Sequence, residues 1–146
     1  MHFEKLSDIM KLANERKRAK KVAIAGADYH HVITAGLMAK RDGFADPIFI
    51  GNQAKITDIL EEFHEPAEKY RIIDMSDETS ICYEAVQLVR RGEADFLMKG
   101  RVNTASLLKA VLNKETGLPH GKLITQISFF QIPGYHKLVV LSDGAI

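Results

Sequence analysis

The chain has 146 residues, the length of one domain and enough to bury a real core. Its 20 Lys and Arg against 19 Asp and Glu leave a net charge of +1, which argues against general electrostatic attraction to nucleic acid or a membrane surface and confines binding to local sites. No apolar run approaches the roughly 18 residues of a membrane span and the N-terminus has no signal-peptide core, so the chain reads as cytoplasmic.

Leu6, Ile9, Met10 and Ala13 keep helical spacing, and the basic run Arg16-Lys17-Arg18-Ala19-Lys20-Lys21 closes that helix as a solvated end rather than as an interaction tail. Val22 to Ala25 is a short apolar strand. Gly26-Ala27-Asp28 breaks it as a tight turn with a helix-starting Asp, before a helix carrying Val32, Ile33, Ala35, Gly36, Leu37 and Ala39. The same turn lacks the full G-x-G-x-x-G spacing of a dinucleotide site. Pro47 to Ile50 and Gly51-Asn52 give a second strand and turn, and Ile56, Ile59, Leu60 and Phe63 stripe the next helix, which ends at Glu65-Pro66.

Arg71 to Asp74 is a third strand, followed by Ser76 as an N-cap with Asp77 and Glu78 in the first helical turn. That helix runs through Ile81, Cys82, Ala85, Val86 and Val89 to Gly92. Cys82 is the single cysteine and reads as a core residue rather than a nucleophile. A fourth strand, Asp95 to Met98, leads to Thr104 as the next N-cap, with Leu107, Leu108, Val111 and Leu112 as the buried face and Gly117-Leu118-Pro119 as the stop. Leu123 to Ile132 and Lys137 to Leu141 are two strands joined through Pro133-Gly134-Tyr135 as a hairpin.

Strands alternating with amphipathic helices predict an α/β fold, a mainly parallel sheet flanked by helices, with ligands at the carboxyl ends of the strands. The strongest loop is Lys99 through Thr104. A strand delivers a lysine and a glycine to a helix start, where free backbone N–H groups and the helix dipole favour an anion. Lys99-Gly100 is not a Walker A loop, which excludes the usual ATPase, and a lysine after a strand is also commonly a solvated loop charge. Ser142-Asp143-Gly144 is either a ligand-contacting strand tip or plain turn chemistry. The six histidines show no metal-ligand spacing, and adjacent His30 and His31 point about 100° apart on a helix, so no metal site is expected.

Ala94 through Thr104, then Leu123 to Ser128 and Leu141 to Ile146, together with Ala25 to Asp28 and Pro47 to Gly51, resemble the phosphate acetyl/butyryltransferase family, most of all its butyryltransferases. The resemblance covers nearly all of this chain but only the N-terminal half of a family member. It implies reversible transfer of an acyl group between coenzyme A and inorganic phosphate, with acyl-CoA and phosphate as substrates and no tightly bound cofactor. It further implies the first half of an isocitrate/isopropylmalate dehydrogenase-like fold, residues 1–146 forming a single α/β domain of a two-domain enzyme, usually a dimer.

Carried over by position, Lys99, Ser142 and Asp143 become the catalytic candidates, and Asp28, Lys99, Gly100, Arg101, Thr104 and Thr125 the candidates for holding phosphate or CoA. Thr125-Gln126 stands where the family commonly has a Ser-His pair. The chain stops where the family continues, so a truncated fragment is expected. The alternatives are an acyltransferase half that needs the rest of its enzyme, a non-catalytic phosphate- or CoA-binding module, and, with less support, an oxidoreductase of the related fold.

Overall fold

The computed structural model describes residues 4–15, 19–118 and 125–144. Short continuous apolar runs and apolar stripes of period 3.6 alternate along the chain, and the elements follow that alternation: α1 (Leu6–Glu15), β1 (Lys20–Ala25), α2 (His30–Arg41), β2 (Ala45–Gly51), α3 (Gln53–Glu62), a 3-10 turn at Ala67–Lys69, β3 (Arg71–Asp74), α4 (Glu78–Arg90), β4 (Phe96–Lys99), α5 (Thr104–Val111), β5 (Ile127–Gln131) and β6 (Leu138–Ser142). They fall into two compact units. The larger holds β1 to β4 and α2 to α5; the smaller holds α1 and the β5–β6 hairpin.

In the larger unit the four strands are all parallel in the order β3-β2-β1-β4. β1 and β2 are central and buried on both faces, which is why Val22 to Ala25 and Pro47 to Ile50 are continuous apolar runs rather than alternating ones. β3 begins to pair only at Ile48, so Pro47 enters β2 where that side of the strand has no partner to lose. One face packs Ile24 and Phe49 against α2 and α3 through Ile33, Ile56 and Leu60. The other packs Ala23, Ala25, Ile48 and Ile50 against α4 and α5 through Ile81, Cys82, Ala85, Leu88 and Leu107. Cys82 is buried, as expected, and burial raises its thiol pKa, leaving it a poor nucleophile.

Several boundaries differ from the sequence reading. Lys20 and Lys21 are strand residues rather than a helix end, because both are tied to Asp95: its carboxylate accepts from Lys20 Nζ at 2.7 Å and from the Lys21 amide at 2.8 Å. The N-cap of α4 is Asp77 rather than Ser76, with its carboxylate accepting the Ser80 amide and hydroxyl, both at 2.8 Å. The N-cap of α5 is Asn103 rather than Thr104; Asn103 keeps extended backbone and its side chain accepts the Ala105 amide at 2.8 Å, which leaves Thr104 as the first helical residue. Leu108 and Leu112 are exposed, because α5 meets α4 through Leu107, Ala110 and Val111. The reading at Pro119 and at Leu123 and Ile124 lies outside the described residues.

In the smaller unit β5 and β6 pair antiparallel, Ile127 with Ser142 through Gln131 with Leu138, joined through Pro133-Gly134-Tyr135 as expected. The Leu6 amide of α1 donates to Gln131 Oε1 at 3.1 Å. Leu6, Met10, Ile127, Phe129, Phe130, Val140 and Leu141 are all exposed.

Tyr70 provides a test of the packing between α2 and β3. Its ring lies 5.6 Å from Phe49 and under Lys40, and its hydroxyl donates to Glu65 at 2.9 Å. Burial, and then the Glu65 carboxylate, push its pKa from 10.0 up to about 12. The folded state favours neutral tyrosine, so this contribution to stability is complete below the unfolded value near pH 10 and lost as pH rises through about 12. Ultraviolet titration of the phenolates should show one tyrosine ionising late, and Tyr70→Phe should remove that late step.

Candidate functional site

The chain builds outward from β1 in one direction through α2, β2, α3 and β3, then crosses back through α4 to place β4 on the other side of β1. The loops leaving β1 and β4 therefore diverge to opposite faces of the sheet, which is where an open parallel sheet makes a crevice at its carboxyl edge. Gly26-Ala27-Asp28 follows β1 and Gly100-Arg101-Val102-Asn103 follows β4.

The two loops touch through their backbones. The Gly100 amide donates to the Ala25 carbonyl at 2.8 Å and the Arg101 amide to the Gly26 carbonyl at 2.9 Å. Both glycines are required: a Cβ on Gly26, whose φ is +75°, would sit 2.8 Å from the Arg101 carbonyl, and one on Gly100 would collide with the carbonyls of Gly26 and Ala25. The Gly26 and Ala27 amides both donate to the Ile50 carbonyl, and the Met75 amide to Gly51, so the loops after β1, β2 and β3 are tied in turn.

Side chains from these loops line a cavity of about 300 Å³ that includes Asp28, Asn52, Lys55 and Ser76. Tyr29, Glu78, Arg101 and Val102 border both it and a more open recess of about 680 Å³ that takes in Lys99, Gly100 and Asn103. Asp28 does not cap α2, whose N-cap is Tyr29 with no side-chain hydrogen bond; its carboxylate instead faces Lys55 Nζ at 4.0 Å. The Arg101 guanidinium lies over the Tyr29 ring, 3.9 Å from its centre. Lys99 Nζ donates to the Val102 carbonyl at 3.0 Å, which folds the lysine over its own loop. Thr104 is exposed in the first turn of α5.

The start of α5 is less open to an anion than the sequence suggests. Asn103 takes the Ala105 amide, and Glu78 takes the Asn103 amide at 3.1 Å and the Ser106 hydroxyl at 2.6 Å. Those bonds, Ser106 first, hold the Glu78 carboxyl below its usual range, with Lys99 adding a smaller attraction. A carboxylate thus already occupies part of the donor set, and Lys99, Arg101 and Lys55 supply the positive charge that remains. Lys99, Gly100, Arg101 and Asp28 are brought to one crevice. Tyr29, Asn52, Lys55 and Glu78 join them without having been singled out, although the loops carrying Asn52 and Ser76 were marked by the strand-to-helix pattern.

Thr125, Ser142 and Asp143 belong to the smaller unit, where they share one end of the hairpin. Asp143, at φ +55°, donates its amide to the Gln126 carbonyl at 2.9 Å and accepts the Gln126 amide at 3.0 Å and the Ser142 hydroxyl at 2.7 Å. These bonds, the Ser142 one foremost, lower its pKa. Thr125 is exposed beside Gln126. Among the described residues no three His, Cys, Asp or Glu side chains gather as a metal site, and no helix is long and apolar enough to cross a membrane.

Gly100 carries the loop contact, so the cost of filling it measures that contact. Gly100→Ala should destabilise the chain by about 1–3 kcal/mol through overpacking against fixed carbonyls. Gly92→Ala, at φ +71° but with open space around it, should cost only the backbone strain of about 1–2 kcal/mol. Urea titrations followed by far-ultraviolet circular dichroism should show a lower midpoint for Gly100→Ala than for the parent chain; a parent-like midpoint would mean the loops can separate freely.

Comparison with known proteins points to one family. Residues 75–146 match the family model described as phosphate acetyl/butaryl transferase. The chain is 40% identical over 126 residues to phosphate butyryltransferase of Clostridium beijerinckii, covering 86% of this chain and 42% of that one. It is 36% identical over 143 residues to phosphate acetyltransferase of Thermotoga maritima, covering 98% and 47%. It therefore spans about half the length of these relatives. A branched-chain phosphotransacylase from Enterococcus faecalis superposes with a TM-score of 0.67 at 26% identity, over 87% of this chain and 44% of that one. A phosphotransacetylase from Streptococcus pyogenes shares the fold, with a TM-score of 0.76 at 18% identity over 97% and 52%. These similarities, with the shared α/β architecture, lead to one assignment: the chain belongs to the phosphate acetyl/butyryltransferase family, whose members it matches over their N-terminal half.

Proposed function

We propose that this chain is the N-terminal portion of a two-domain phosphate acyltransferase that moves a short acyl group, butyryl or similar, between coenzyme A and inorganic phosphate, and that residues 1–146 constitute its first α/β domain in an isocitrate/isopropylmalate dehydrogenase-like arrangement. The observation that carries this reading is the convergence of Lys99, Arg101 and Lys55 on recesses at the carboxyl ends of parallel strands, in a chain 40% identical to a phosphate butyryltransferase. A phosphate oxygen attacks the thioester carbonyl, the carbonyl oxygen carries the negative charge of the tetrahedral intermediate, and the carbon–sulfur bond then breaks. The products are acyl phosphate and CoA thiolate, which takes up a proton.

Every reactant here is anionic, so the main electrostatic problem is to bring phosphate to a substrate that already carries a diphosphate. Lys99, with Gly100, Arg101 and Thr104, holds phosphate or the CoA diphosphate and offsets that repulsion. Asp28 orients Lys55 at the cavity wall. Ser142 and Asp143, with Thr125 nearby, serve the reaction as polar groups at the tip of the smaller unit. The enzyme works in the cytoplasm as a homodimer, and the exposed apolar hairpin, with Ile127 at 60% and Val140 at 56% exposure, is the surface that favours self-association.

Release of CoA thiol from butyryl-CoA, measured with and without phosphate, tests the activity. Phosphate-dependent release that falls at least about tenfold in Lys99→Ala is the expected result, the scale of losing a charge-assisted hydrogen bond to substrate. Binding of CoA without phosphate-dependent release would favour a non-catalytic binding module. Sedimentation at several protein concentrations should show a dimer that weakens when Phe129 and Val140 are replaced by Ser; a monomer at every concentration would remove the oligomer from the proposal.

A further inference from the structure

Five arginines lie among the described residues, and four of them have their guanidinium donors committed. Arg41 bonds Asp42, Arg71 bonds Glu93, Arg90 bonds the carbonyls of Glu115 and Gly117, and Arg91 bonds Glu84 and Glu93. Arg101 differs. Among the described residues its guanidinium has no hydrogen bond and no ion pair, although Asp28 and Glu78 line the same cavity; its partner is the face of Tyr29, 3.9 Å away. Contact through a π face restrains the cation while leaving its five N–H donors unused, the state in which a guanidinium can meet two oxygens of a phosphate group at once.

Both ends of this pair are rigidly mounted. Tyr29 is the N-cap of α2: its amide donates to the Ala27 carbonyl at 2.8 Å, and its own carbonyl accepts the Val32 and Ile33 amides, both at 3.0 Å. Its ring is half-buried against the α2–α3 core. The Arg101 amide is fixed to the Gly26 carbonyl at 2.9 Å. The stack therefore joins the loop after β1 to the loop after β4, across the point where the sheet changes direction. An arginine side chain free in water loses rotamer entropy when a ligand orders it, and the stack removes part of that loss before the ligand arrives.

We propose that Arg101 is a bidentate donor to a phosphate-type oxyanion of the substrate and that Tyr29 is its positioning residue. The proposal rests on the phosphate acyltransferase reading and adds to it a residue, Tyr29, and a geometry. It distinguishes Arg101 from Lys99, whose ammonium already spends a donor on Val102, and from Lys55, which faces Asp28.

Equilibrium dialysis of CoA and of inorganic phosphate against the full chain tests it, using Arg101→Ala, Arg101→Lys, Tyr29→Phe, Tyr29→Leu, the Tyr29→Leu/Arg101→Ala double variant and Lys99→Ala. Arg101→Ala should weaken CoA binding about tenfold, and Arg101→Lys should recover little of it because an ammonium has no fork. Tyr29→Leu keeps the apolar bulk but removes the π face and should weaken binding about threefold, whereas Tyr29→Phe should stay within about twofold of the parent. In the Arg101→Ala background Tyr29→Leu should have no further effect, a result that general damage to the fold would not give. Parent-like binding by Tyr29→Leu, or an equal loss in both backgrounds, overturns the positioning role and leaves the proposed reaction standing. Parent-like binding by Arg101→Ala with weakened binding by Lys99→Ala overturns the Arg101 assignment and again spares the reaction. Failure of the parent chain to bind either CoA or phosphate overturns both.

Discussion

The crevice depends on a backbone contact between two glycines. Parallel strands β1 and β4 are held by their ladder only as far as Ala25 and Lys99; beyond that their loops turn to opposite faces of the sheet and would part. The amides of Gly100 and Arg101 instead continue the pairing onto the carbonyls of Ala25 and Gly26 for two more residues. Only side-chain-free residues permit this approach, and the φ of +75° at Gly26 then directs Ala27 and Asp28 away from β4 toward β2. The position of every charged group in the crevice follows: Asp28 goes toward Lys55, and Lys99 and Arg101 stay on the β4 side.

The site is consequently governed more by side-chain cations than by the helix terminus. A bare helix start offers several amides to an anion, but at α5 the Asn103 and Ala105 amides are already bonded, the first by Glu78. Glu78 is itself the first residue of α4, so one carboxylate lies at the positive end of two helices and ties them together through Asn103 and Ser106. It stabilises the loop it occupies and, by its charge, opposes an anion in the same place. Under the proposed function a phosphate group here relies on the side-chain cations Lys99, Arg101 and Lys55 rather than on helix amides, so the orientation of those side chains carries the weight.

The sequence made the sheet legible because β1 and β2 are buried on both faces and so read as unbroken apolar runs, while Gly26, Gly51 and Gly92 mark where the chain turns. Helix starts were harder to read. Ser76 and Asp77, or Asn103 and Thr104, are adjacent residues of equal capping chemistry, and only the local backbone decides which one keeps extended geometry. Leu108 and Leu112 read as core because they share a helical stripe with Leu107 and Val111, yet the α4–α5 crossing uses only one side of that stripe. Lys99, Gly100 and Arg101 were legible from the strand-to-helix pattern. Tyr29, Lys55 and Glu78 were not, because each reaches the crevice from the start of a different helix and nothing in their local sequence records the partner: Arg101 for Tyr29, Asp28 for Lys55, and Asn103 and Ser106 for Glu78.

The hairpin obeys a different logic from an ordinary surface ribbon. Cross-strand partners share a face, so Phe129 and Val140 point to one side together with Ile127, while Phe130, Val139 and Leu141 point to the other. An antiparallel pair with one wet face would alternate apolar and polar residues; here both faces are apolar, as in the buried strands β1 and β2. A two-stranded ribbon is marginal in water by itself, and one with two apolar faces gains stability only when both are covered. The bonds that Asp143 makes to Gln126 and Ser142 fix the strand ends without supplying that cover, since all three residues lie at the polar tip. The two apolar faces of β5 and β6 are therefore the feature on which the self-association proposed above rests.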